Sequence, residues 1–406
     1  MSPLQRENLP GESMVLRDVT VLELGEGVGL GYCGRLLAGY GADVIKVERP
    51  GAGDGARYVG PFPKGVPHSE SSGLFLYLNT NKKSITLDVE KADGQHLLER
   101  IVPHIEIILD GLPPGKRASL GLSYEQLKVL KPSLIMTSVA PFGQTGPYKD
   151  FQATEIVIWA LSGYHHLTGD PDREPLKGWG NQAHYQAGVQ AALATVSALF
   201  LRDVTGEGQW IDVSVAESLA VHNGSSLQST LYGGAVAKRR GNKGGDNYPN
   251  TILPASDGHV QLHFGAGGLR QVAELMGEPR LADPKWDDHP ISHADELDQL
   301  MLPWLQRRTK FQAVAEAQAA HIPFVEVLSP AEVMQDEQNQ ARSYFLASDH
   351  PYAGRVTYPG SPVRLPACPW ENARAPLLGE HNREVYVDRL GLSPRELAIL
   401  SAEGIV

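Results

Sequence analysis

The fold is decided by the stretch TVLELGEGVGLGYCGRLLAGYGADVIKV, residues 20–47. The apolar run TVLEL predicts a buried strand, and the glycines from Gly25 to Gly31 predict a turn. YCGRLLAGYG then predicts a helix and DVIKV a second strand. A strand, a helix and a strand in this order form a βαβ unit, in which the two strands lie parallel. The chain is therefore expected to be an α/β protein.

The same alternation continues along the first half of the chain. Further buried strands are predicted at 84–87, 105–109, 134–139 and 210–215, with helices at 95–101 and 124–130. Strands that alternate with helices predict a doubly wound, Rossmann-like parallel sheet. Residues 185–201 are small or apolar on nearly every side, which predicts a helix buried on most of its faces.

The composition changes after residue 221, which suggests a domain boundary. Residues 14–221 are predicted to form the first part of a large α/β domain, and the Gly-, Ser- and Asn-rich segment 222–246 a linker. A smaller α+β domain is predicted for 247–328, with a hairpin at 250–262 and helices at 295–308 and 310–320. Residues 329–406 return to short strands and turns.

Charge and cysteine content narrow the function classes. The 406 residues carry a formal net charge of -11, and no basic run is interleaved with aromatic residues, so no nucleic-acid partner is expected. Cys33 and Cys368 are the two cysteines, too few for a disulfide framework or a Cys-rich metal site. The N-terminus lacks a signal-peptide core, and no run of about 18 apolar residues predicts a membrane helix. A cytoplasmic protein without metal is expected.

Several sequence blocks occur together in one known family. They include GYGADVIKVERPGAGD (39–54), LNTNKKSITLD (78–88), FGQTGPY (142–148), TGEGQWIDVSVAES (205–218) and, within 360–382, GSPVRL and PLLGEHN. With these blocks the chain resembles the family III CoA-transferases, also called the CaiB/BaiF family. The resemblance implies a large domain completed by 329–406, a smaller domain between, and two interlocked subunits. It also implies a coenzyme A thioester as substrate and no tightly bound cofactor.

The resemblance draws attention to the position of the catalytic nucleophile. Family members carry an aspartate just before the small apolar helix, and this carboxylate attacks the donor thioester. Here His184 occupies that position, and an imidazole cannot form the anhydride through which a carboxylate passes CoA to an acid. Glu155 matches an acidic position beside the nucleophile. It could accept a hydrogen bond from His184, act as a nucleophile, or simply be a paired carboxylate. The racemase pair of the family is lost because Thr154 replaces its histidine.

The resemblance also implies a CoA site. Its predicted residues are Gly27, Val28, Gly29, Arg49, Asn81, Lys82, Lys83, Asp110, Gly111, Leu112 and Pro113. The phosphates of CoA require local cations in an acidic protein, although Lys82 and Lys83 equally fit a solvated turn. The segment LDGLPPG (109–115) replaces the more usual ENFRPG or ENFGPG, which leaves the affinity for CoA open. Gly265, Ala266, Gly267 and Gly268 match a glycine loop that closes over the active site.

The sequence leaves four functions open. The first is a subunit of a heteromeric CoA-transferase, as in the benzylsuccinate CoA-transferases, with a succinyl-CoA-like donor, an aryl-succinate acceptor and the aspartate on a homologous partner. A heterodimer or heterotetramer is then expected, with a homodimer still possible. The second is a stand-alone enzyme that uses Glu155 and His184. The third is an NAD-dependent oxidoreductase, because Gly29, Gly31 and Gly34 match G-x-G-x-x-G and Glu48 ends the next strand. A regulatory acyl-CoA binder also stays open.

Overall fold

The computed structural model describes residues 14–244, 248–264, 268–287 and 289–406. Within these residues the chain divides into two compact units. The large unit contains 14–162, 178–224 and 341–406, and the small unit contains 163–177 and 225–340. The division between 224 and 225 lies inside the predicted linker, but the return to the large unit comes at 341 rather than 329. Residues 163–177 join the small unit, which the sequence did not indicate.

The strands in chain order are β1 (Thr20–Gly25), β2 (Asp43–Glu48), β3 (Lys83–Thr86), β4 (Ile107–Gly111), β5 (Ile135–Ala140), β6 (Trp210–Ser214), β7 (Asn250–Pro254), β8 (His259–His263), β9 (Phe324–Glu326), β10 (Phe345–His350) and β11 (Gly354–Pro359). The α-helices are α1 (Val28–Gly39), α2 (Gly73–Leu78), α3 (Ala92–Ile101), α4 (Pro114–Ser119), α5 (Tyr124–Leu130), α6 (Glu155–Leu161), α7 (Tyr164–Leu167), α8 (Gln182–Thr205), α9 (Val215–Ala220), α10 (Gly224–Gly233), α11 (Gly268–Met276), α12 (Ala294–Gln306), α13 (Lys310–Ala319), α14 (Pro330–Gln335), α15 (Glu337–Ala341) and α16 (Pro394–Ala402). A π-helical segment spans Arg383–Arg389.

The centre of the large unit is a six-stranded sheet in the order β3-β2-β1-β4-β5-β6, parallel throughout. Leu22 of β1 pairs with Ile45 of β2 on one side and Ile108 of β4 on the other, and all three are fully buried. The predicted α/β fold with a doubly wound sheet is confirmed. The strand order reverses between β1 and β4, and in such sheets ligands bind at the carboxyl ends of the strands beside this reversal.

Local signals place the helix ends. The helix α5 begins after Ser123, whose hydroxyl accepts a hydrogen bond from the Gln126 N–H, while the Gln126 side chain bonds back to Ser123. This capping box satisfies N–H groups that the first turn leaves without intrahelical acceptors. Gly206, at φ +78°, ends α8 in the left-handed conformation that favours glycine.

The C-terminal segment packs into the large unit. Val385 and Tyr386 are fully buried in the main core, and the Tyr386 hydroxyl donates to the Thr86 carbonyl at 2.7 Å. The Asp88 N–H donates to the carbonyl of Ile405 at 2.8 Å. Burial of such side chains stabilises the fold by about 1.5–3 kcal/mol each. The last 66 residues thus complete a unit whose sheet lies far upstream in the sequence.

The long helix α8 differs from its prediction. Ala183, Ala187 and Ala191 on its inner face are fully buried, but Leu193 and Phe200 on the outer face are 65% and 76% exposed. The helix is therefore buried along one face of the single chain rather than on most faces. It is also long and apolar enough to pass a length-and-composition test for membrane spans, a test that core helices pass as well. One helix of this kind is weak evidence for a membrane span, so it does not contradict the sequence expectation.

The small unit contains an antiparallel sheet in the order β7-β8-β9 and the helices α12 and α13. The predicted hairpin and both predicted helices are confirmed. Its core includes Val260, Leu262, Leu297, Met301 and Phe324, all with exposures of zero. The predicted linker also differs from the observed structure, because residues 224–233 form the helix α10. Its Gly and Ser content did not prevent a helix.

Candidate active site

Two adjoining cavities lie at the carboxyl edge of the parallel sheet. One, of about 320 Å³, lies beside the first turn of α1 and is lined by His184. The other, of about 360 Å³, lies across the ends of β1 and β2 and is lined by Arg49. Both cavities are lined by Glu26, Gly111, Leu112, Pro113 and Lys116. Together they form a continuous groove suited to an elongated ligand.

A histidine and a glutamate form a hydrogen-bonded pair at the first cavity. The His184 Nδ1 lies 2.5 Å from Oε2 of Glu155, and the His184 side chain is 21% exposed. The other oxygen of Glu155 accepts hydrogen bonds from the Trp159 indole at 2.9 Å and the Ala183 N–H at 2.7 Å. Burial opposes ionisation of Glu155, but these donors outweigh it, so its pKa lies below the ordinary value. The pair that the sequence linked is thus brought together.

This geometry fixes the state of the imidazole. With Nδ1–H donated to the Glu155 carboxylate, Nε2 is the nitrogen left for a ligand in the cavity that His184 lines. Glu155 begins α6 and His184 lies in the first turn of α8, so two helix starts hold the pair. The arrangement can accept a proton at Nε2 and hold the resulting imidazolium against an anchored carboxylate.

The first turn of α1 forms another wall of the cavity. The helix begins at Val28, so only Glu26 and Gly27 separate it from β1, and the predicted turn from Gly25 to Gly31 is mostly helical. A Cβ on Gly29 would lie 3.0 Å from the His184 carbonyl. A glycine at this position therefore lets α1 and α8 approach closely, and it brings the first N–H groups of α1 to the same cavity as His184.

The glycines of the dinucleotide pattern have structural explanations here. A Cβ on Gly34 would lie 2.1 Å from Oε2 of Glu23 and 3.0 Å from Nζ of Lys82, so this glycine makes room for a buried ion pair. The Glu48 carboxylate is bound by the Arg57 guanidinium at 2.6 and 2.8 Å and by the Ser84 hydroxyl at 2.6 Å. It is not free to bind a ribose, which argues against the nicotinamide interpretation.

Part of the predicted CoA site does line the groove. Gly27 and Gly29 line the first cavity, Arg49 lines the second, and 111–113 line both. The Arg49 side chain is 63% exposed and pairs with Glu26 at 2.8 Å. Lys116 at the shared wall pairs with Glu90. Glu26 was not predicted as a site residue; its place directly after β1 would have been the signal. Lys116 was suggested by the sequence, with Arg117, either as a cation that compensates for the arginine missing from 109–115 or as a solvated charge, and it lies in α4.

The predicted basic segment 81–83 lies elsewhere. Lys82 is buried, and its ammonium donates to Glu23 at 2.7 Å and to the Gly31 carbonyl at 2.9 Å. Lys83 pairs at 2.8 Å with Asp43, the first residue of β2, and therefore lies at the opposite edge of the sheet. Asn81 donates to the Glu371 carbonyl at 2.9 Å. These contacts are structural, because the peptide turns inward after α2, and none of the three residues lines either cavity.

Asp110 also points inward rather than into the groove. Its carboxylate accepts hydrogen bonds from Arg117 at 2.8 Å and Ser138 at 2.7 Å, and burial raises its pKa. The Trp210 indole donates to the Ser138 hydroxyl at 3.0 Å. Asp110 therefore supports the segment 111–113 that follows it, as does Arg117, for which the sequence offered a compensating CoA cation or a solvated charge.

A buried cluster of charges below the site was missed by sequence reasoning. Glu23 accepts hydrogen bonds from Lys46 at 2.9 Å and Lys82 at 2.7 Å, and Lys46 also pairs with Asp54 at 2.6 Å. The two ammonium groups overcome the effect of burial and lower the pKa of Glu23. Charged residues within the apolar strands β1 and β2 were the available signal.

Most of the predicted glycine loop lies outside the part of the chain that the structure describes. Gly265, Ala266 and Gly267 of the glycine loop lie outside the described residues, and Gly268 begins α11. The described parts of the chain contain no cluster of three metal-ligating side chains. The groove is lined by the His184 imidazole and by several carboxylates and lysines.

Known proteins are similar to this chain over most of its length. The model of CoA-transferase family III matches residues 16–382. The succinyl-CoA–D-citramalate CoA-transferase of Chloroflexus aurantiacus is 35% identical, covering 96% of this chain and 98% of the relative. Subunit BbsE of the succinyl-CoA:(R)-benzylsuccinate CoA-transferase of Thauera aromatica is 31% identical, with 88% and 90% covered. A CaiB/BaiF family protein from Brucella suis has a crystal structure similar to this chain, at a TM-score of 0.84 and 28% identity, with 93% and 100% covered.

Proposed function

The chain belongs to CoA-transferase family III, and we propose that it is one subunit of a CoA-transferase whose nucleophilic aspartate is supplied by a homologous partner. CoA-transferases of this family take CoA thioesters as substrates. The proposed donor is a succinyl-CoA-like thioester, because the Chloroflexus and Thauera relatives carry succinyl-CoA in their names. The proposed acceptor is a carboxylic acid such as an aryl-succinate, as the name of the Thauera relative suggests.

One observation carries the proposal, namely the imidazole of His184 at the position that the family resemblance gives to aspartate. A carboxylate passes CoA on through an anhydride and then a thioester, and an imidazole cannot take this route. Glu155 is a poor substitute, because its carboxylate already binds His184, Trp159 and the Ala183 N–H. A second subunit with an aspartate would supply the missing step.

An unpartnered apolar surface supports a homologous partner. The outer face of α8 exposes Leu193, Phe200 and Val204, and the neighbouring helix α6 exposes Ile156 and Leu161. Exposed apolar patches mark protein interfaces, and the large apolar side chains along the outer face of α8 are candidates for one. We propose a heterodimer or heterotetramer in the cytoplasm, with a homodimer as the other outcome of the experiment below.

The experiment is co-expression with a homologous, neighbouring gene that encodes aspartate at the position of His184. We expect a 1:1 complex that transfers CoA from succinyl-CoA to benzylsuccinate, while the chain purified alone gives no transfer. His184→Asp in the chain alone should create transfer activity, and His184→Asn serves as the matched control without a carboxylate. Transfer at full rate by the unmodified chain alone would contradict the proposal.

A stand-alone enzyme using Glu155 and His184 is the second candidate, favoured by the 2.5 Å contact between the two side chains at the cavity. Glu155 as the nucleophile would form a thioester that hydroxylamine releases and mass spectrometry locates. Full transfer activity in Glu155→Ala would exclude this candidate. Trapping of CoA on Glu155 in the chain alone would replace the two-subunit proposal.

A further inference from the structure

We propose that the His184–Glu155 pair makes this chain an acyl-CoA thioester hydrolase, with water as the nucleophile. The inference rests on the proposed function in one respect, that a CoA thioester occupies the groove. It adds a reaction that needs no aspartate and no partner subunit. The carboxylate that would have served as nucleophile is replaced by a base.

The carboxylate of Glu155 orients the imidazole of His184. Glu155 Oε2 accepts the Nδ1–H of His184 at 2.5 Å, and Trp159 and the Ala183 N–H anchor the other oxygen. A carboxylate that holds one ring nitrogen leaves the other as a base of fixed direction, which is the role of the acidic residue in Ser-His-Asp triads. Nε2 of His184 is thus prepared to accept a proton in the cavity.

The side chains that line the His184 cavity limit the choice of nucleophile. The residues that line the His184 cavity include neither serine, threonine nor cysteine. Among the described residues, this wall offers the His184 base no hydroxyl or thiol side chain to activate. The carboxylates that also line it, Glu26 and Asp150, need no base to act, so water is the nucleophile on which His184 acts in this proposal. The cavity, at about 320 Å³, has room for a thioester group and a water molecule.

The first turn of α1 lies beside the pair. Its N–H groups have no intrahelical acceptors, and its N-cap residue Gly27 contributes no side chain that could cover them. Gly29 brings this turn against the His184 carbonyl. A carbonyl oxygen placed against these N–H groups would gain stabilisation as it becomes an oxyanion.

The reaction balances without a further reagent. Nε2 of His184 takes a proton from water as the water oxygen bonds to the thioester carbonyl carbon, which gives a tetrahedral oxyanion. The oxyanion collapses, the C–S bond breaks, and the imidazolium returns its proton to the departing CoA thiolate. The products are one carboxylic acid and one CoA thiol for each water consumed.

The experiment uses the full chain purified without a partner. CoA thiol release from succinyl-CoA is followed with a thiol reagent, after subtraction of spontaneous hydrolysis, and H₂¹⁸O shows whether one labelled oxygen enters the acid. We expect enzyme-dependent release, and His184→Gln should lower kcat by about 10²- to 10⁴-fold, the usual contribution of general acid–base catalysis. His96→Gln, on the exposed face of α3, is the matched control and should keep the wild-type rate.

Glu155 acts as a positioning residue, and its variant needs a kinetic test. Glu155→Gln should lower kcat about 10- to 100-fold, as expected for loss of a hydrogen bond to a charged group. The KM for succinyl-CoA should stay within about twofold, because a change confined to the transition state leaves ground-state binding intact. Circular dichroism checks folding, and His184→Asn provides a second variant if His184→Gln does not fold.

Two outcomes overturn the hydrolase proposal: no thiol release above the buffer rate, or an unchanged rate in a folded His184→Gln or His184→Asn variant. Either would leave the two-subunit transferase standing if the co-expressed complex transfers CoA. Conversely, hydrolysis by the chain alone together with no transfer by the complex would support the hydrolase and contradict the transferase. The two proposals therefore fail independently.

Discussion

The buried charge cluster below the groove gives a prediction that can be worked from the structure. Glu23 is fully buried and is the carboxylate that binds the Lys82 ammonium at 2.7 Å. The other contacts of that ammonium, the Gly31 carbonyl and the Asn79 side chain, each at 2.9 Å, are neutral. Glu23→Gln therefore keeps the volume of the side chain but leaves a buried lysine without its closest negative charge.

The expected cost is about 3–5 kcal/mol of unfolding free energy, the range for breaking a buried ion pair by removing one partner. A limit follows from the proton of Lys82. Burial already lowers the pKa of Lys82 from 10.5 to about 8, and without Glu23 the pKa should fall further. Because the folded pKa in the wild type is already about 8, loss of this proton at pH 7 costs about 1.4 kcal/mol, for the one unit between pH 7 and pH 8. The Lys82 proton therefore accounts for no more than this part of the penalty, and the rest comes from the other contacts that Glu23 makes.

The sign of the pH dependence follows from linkage. When the folded pKa of Lys82 is depressed, the unfolded state binds more protons, so stability increases with pH up to the unfolded value of 10.5. For the wild type this window extends from about pH 8 to 10.5. In Glu23→Gln the window extends to lower pH. Between the folded pKa of Lys82 in the variant and about pH 8, the stability of the variant rises by up to about 1.4 kcal/mol per pH unit while that of the wild type is constant. The difference in unfolding free energy therefore shrinks over this range.

The assay is urea unfolding from pH 6.5 to 9.5, followed by circular dichroism, with the midpoint and slope compared at each pH. Glu23→Gln/Lys82→Met is the informative control, because it removes the orphaned charge and should recover part of the loss. A Glu23→Gln protein within about 1 kcal/mol of wild type, with no pH dependence of the difference, would refute the burial of a charged Lys82.

Three further predictions concern the groove. Arg49→Ala should raise the KM for an acyl-CoA about tenfold with little change in kcat, as expected for a lost charge-assisted hydrogen bond. Steady-state kinetics, with Lys64→Ala as control, tests this, and an unchanged KM would remove Arg49 from the site. Gly188→Ala should destabilise the fold by about 1–3 kcal/mol, because its Cβ would lie 2.7 Å from the Gly29 carbonyl; thermal unfolding beside Val189→Ala on the outer face tests this. Folding lowers the pKa of Glu155, so the ionised carboxylate stabilises the fold above its ordinary pKa of 4.5, and this stabilisation is lost as pH falls through the folded pKa. In urea titrations the stability difference between wild type and Glu155→Gln should therefore shrink on acidification. A difference that stays constant with pH would contradict this prediction.

Sequence periodicity predicted the elements whose burial is set locally. The run of apolar residues in β1 and β2 and the amphipathic helices α12 and α13 lie close to where the sequence placed them. A continuous apolar run has few alternatives to a strand buried on both faces, and the side-chain period of a helix is fixed by its geometry. These elements needed no information from distant residues.

The candidate site was only partly predictable, because its contacts join residues that are distant in the sequence. Lys82 follows a turn and has a charged neighbour, so its sequence suggests an exposed cation, yet its partner Glu23 lies 59 residues earlier on β1. Only the pairing of β1, β2 and β3 brings the two together. Asp110 likewise turns inward because Arg117 and Ser138 meet it from different elements.

By itself, the sequence determined the α/β fold and the family, and it predicted that His184 replaces an aspartate, since each of these depends on residue order and local pattern. The tertiary structure decided which charges are buried, which face of α8 is covered, and that Glu155 holds His184 across 29 residues. The physical reason is that desolvation and hydrogen-bond partners are set by packing between distant segments. An imidazole becomes a directed base only when a remote carboxylate is placed against it.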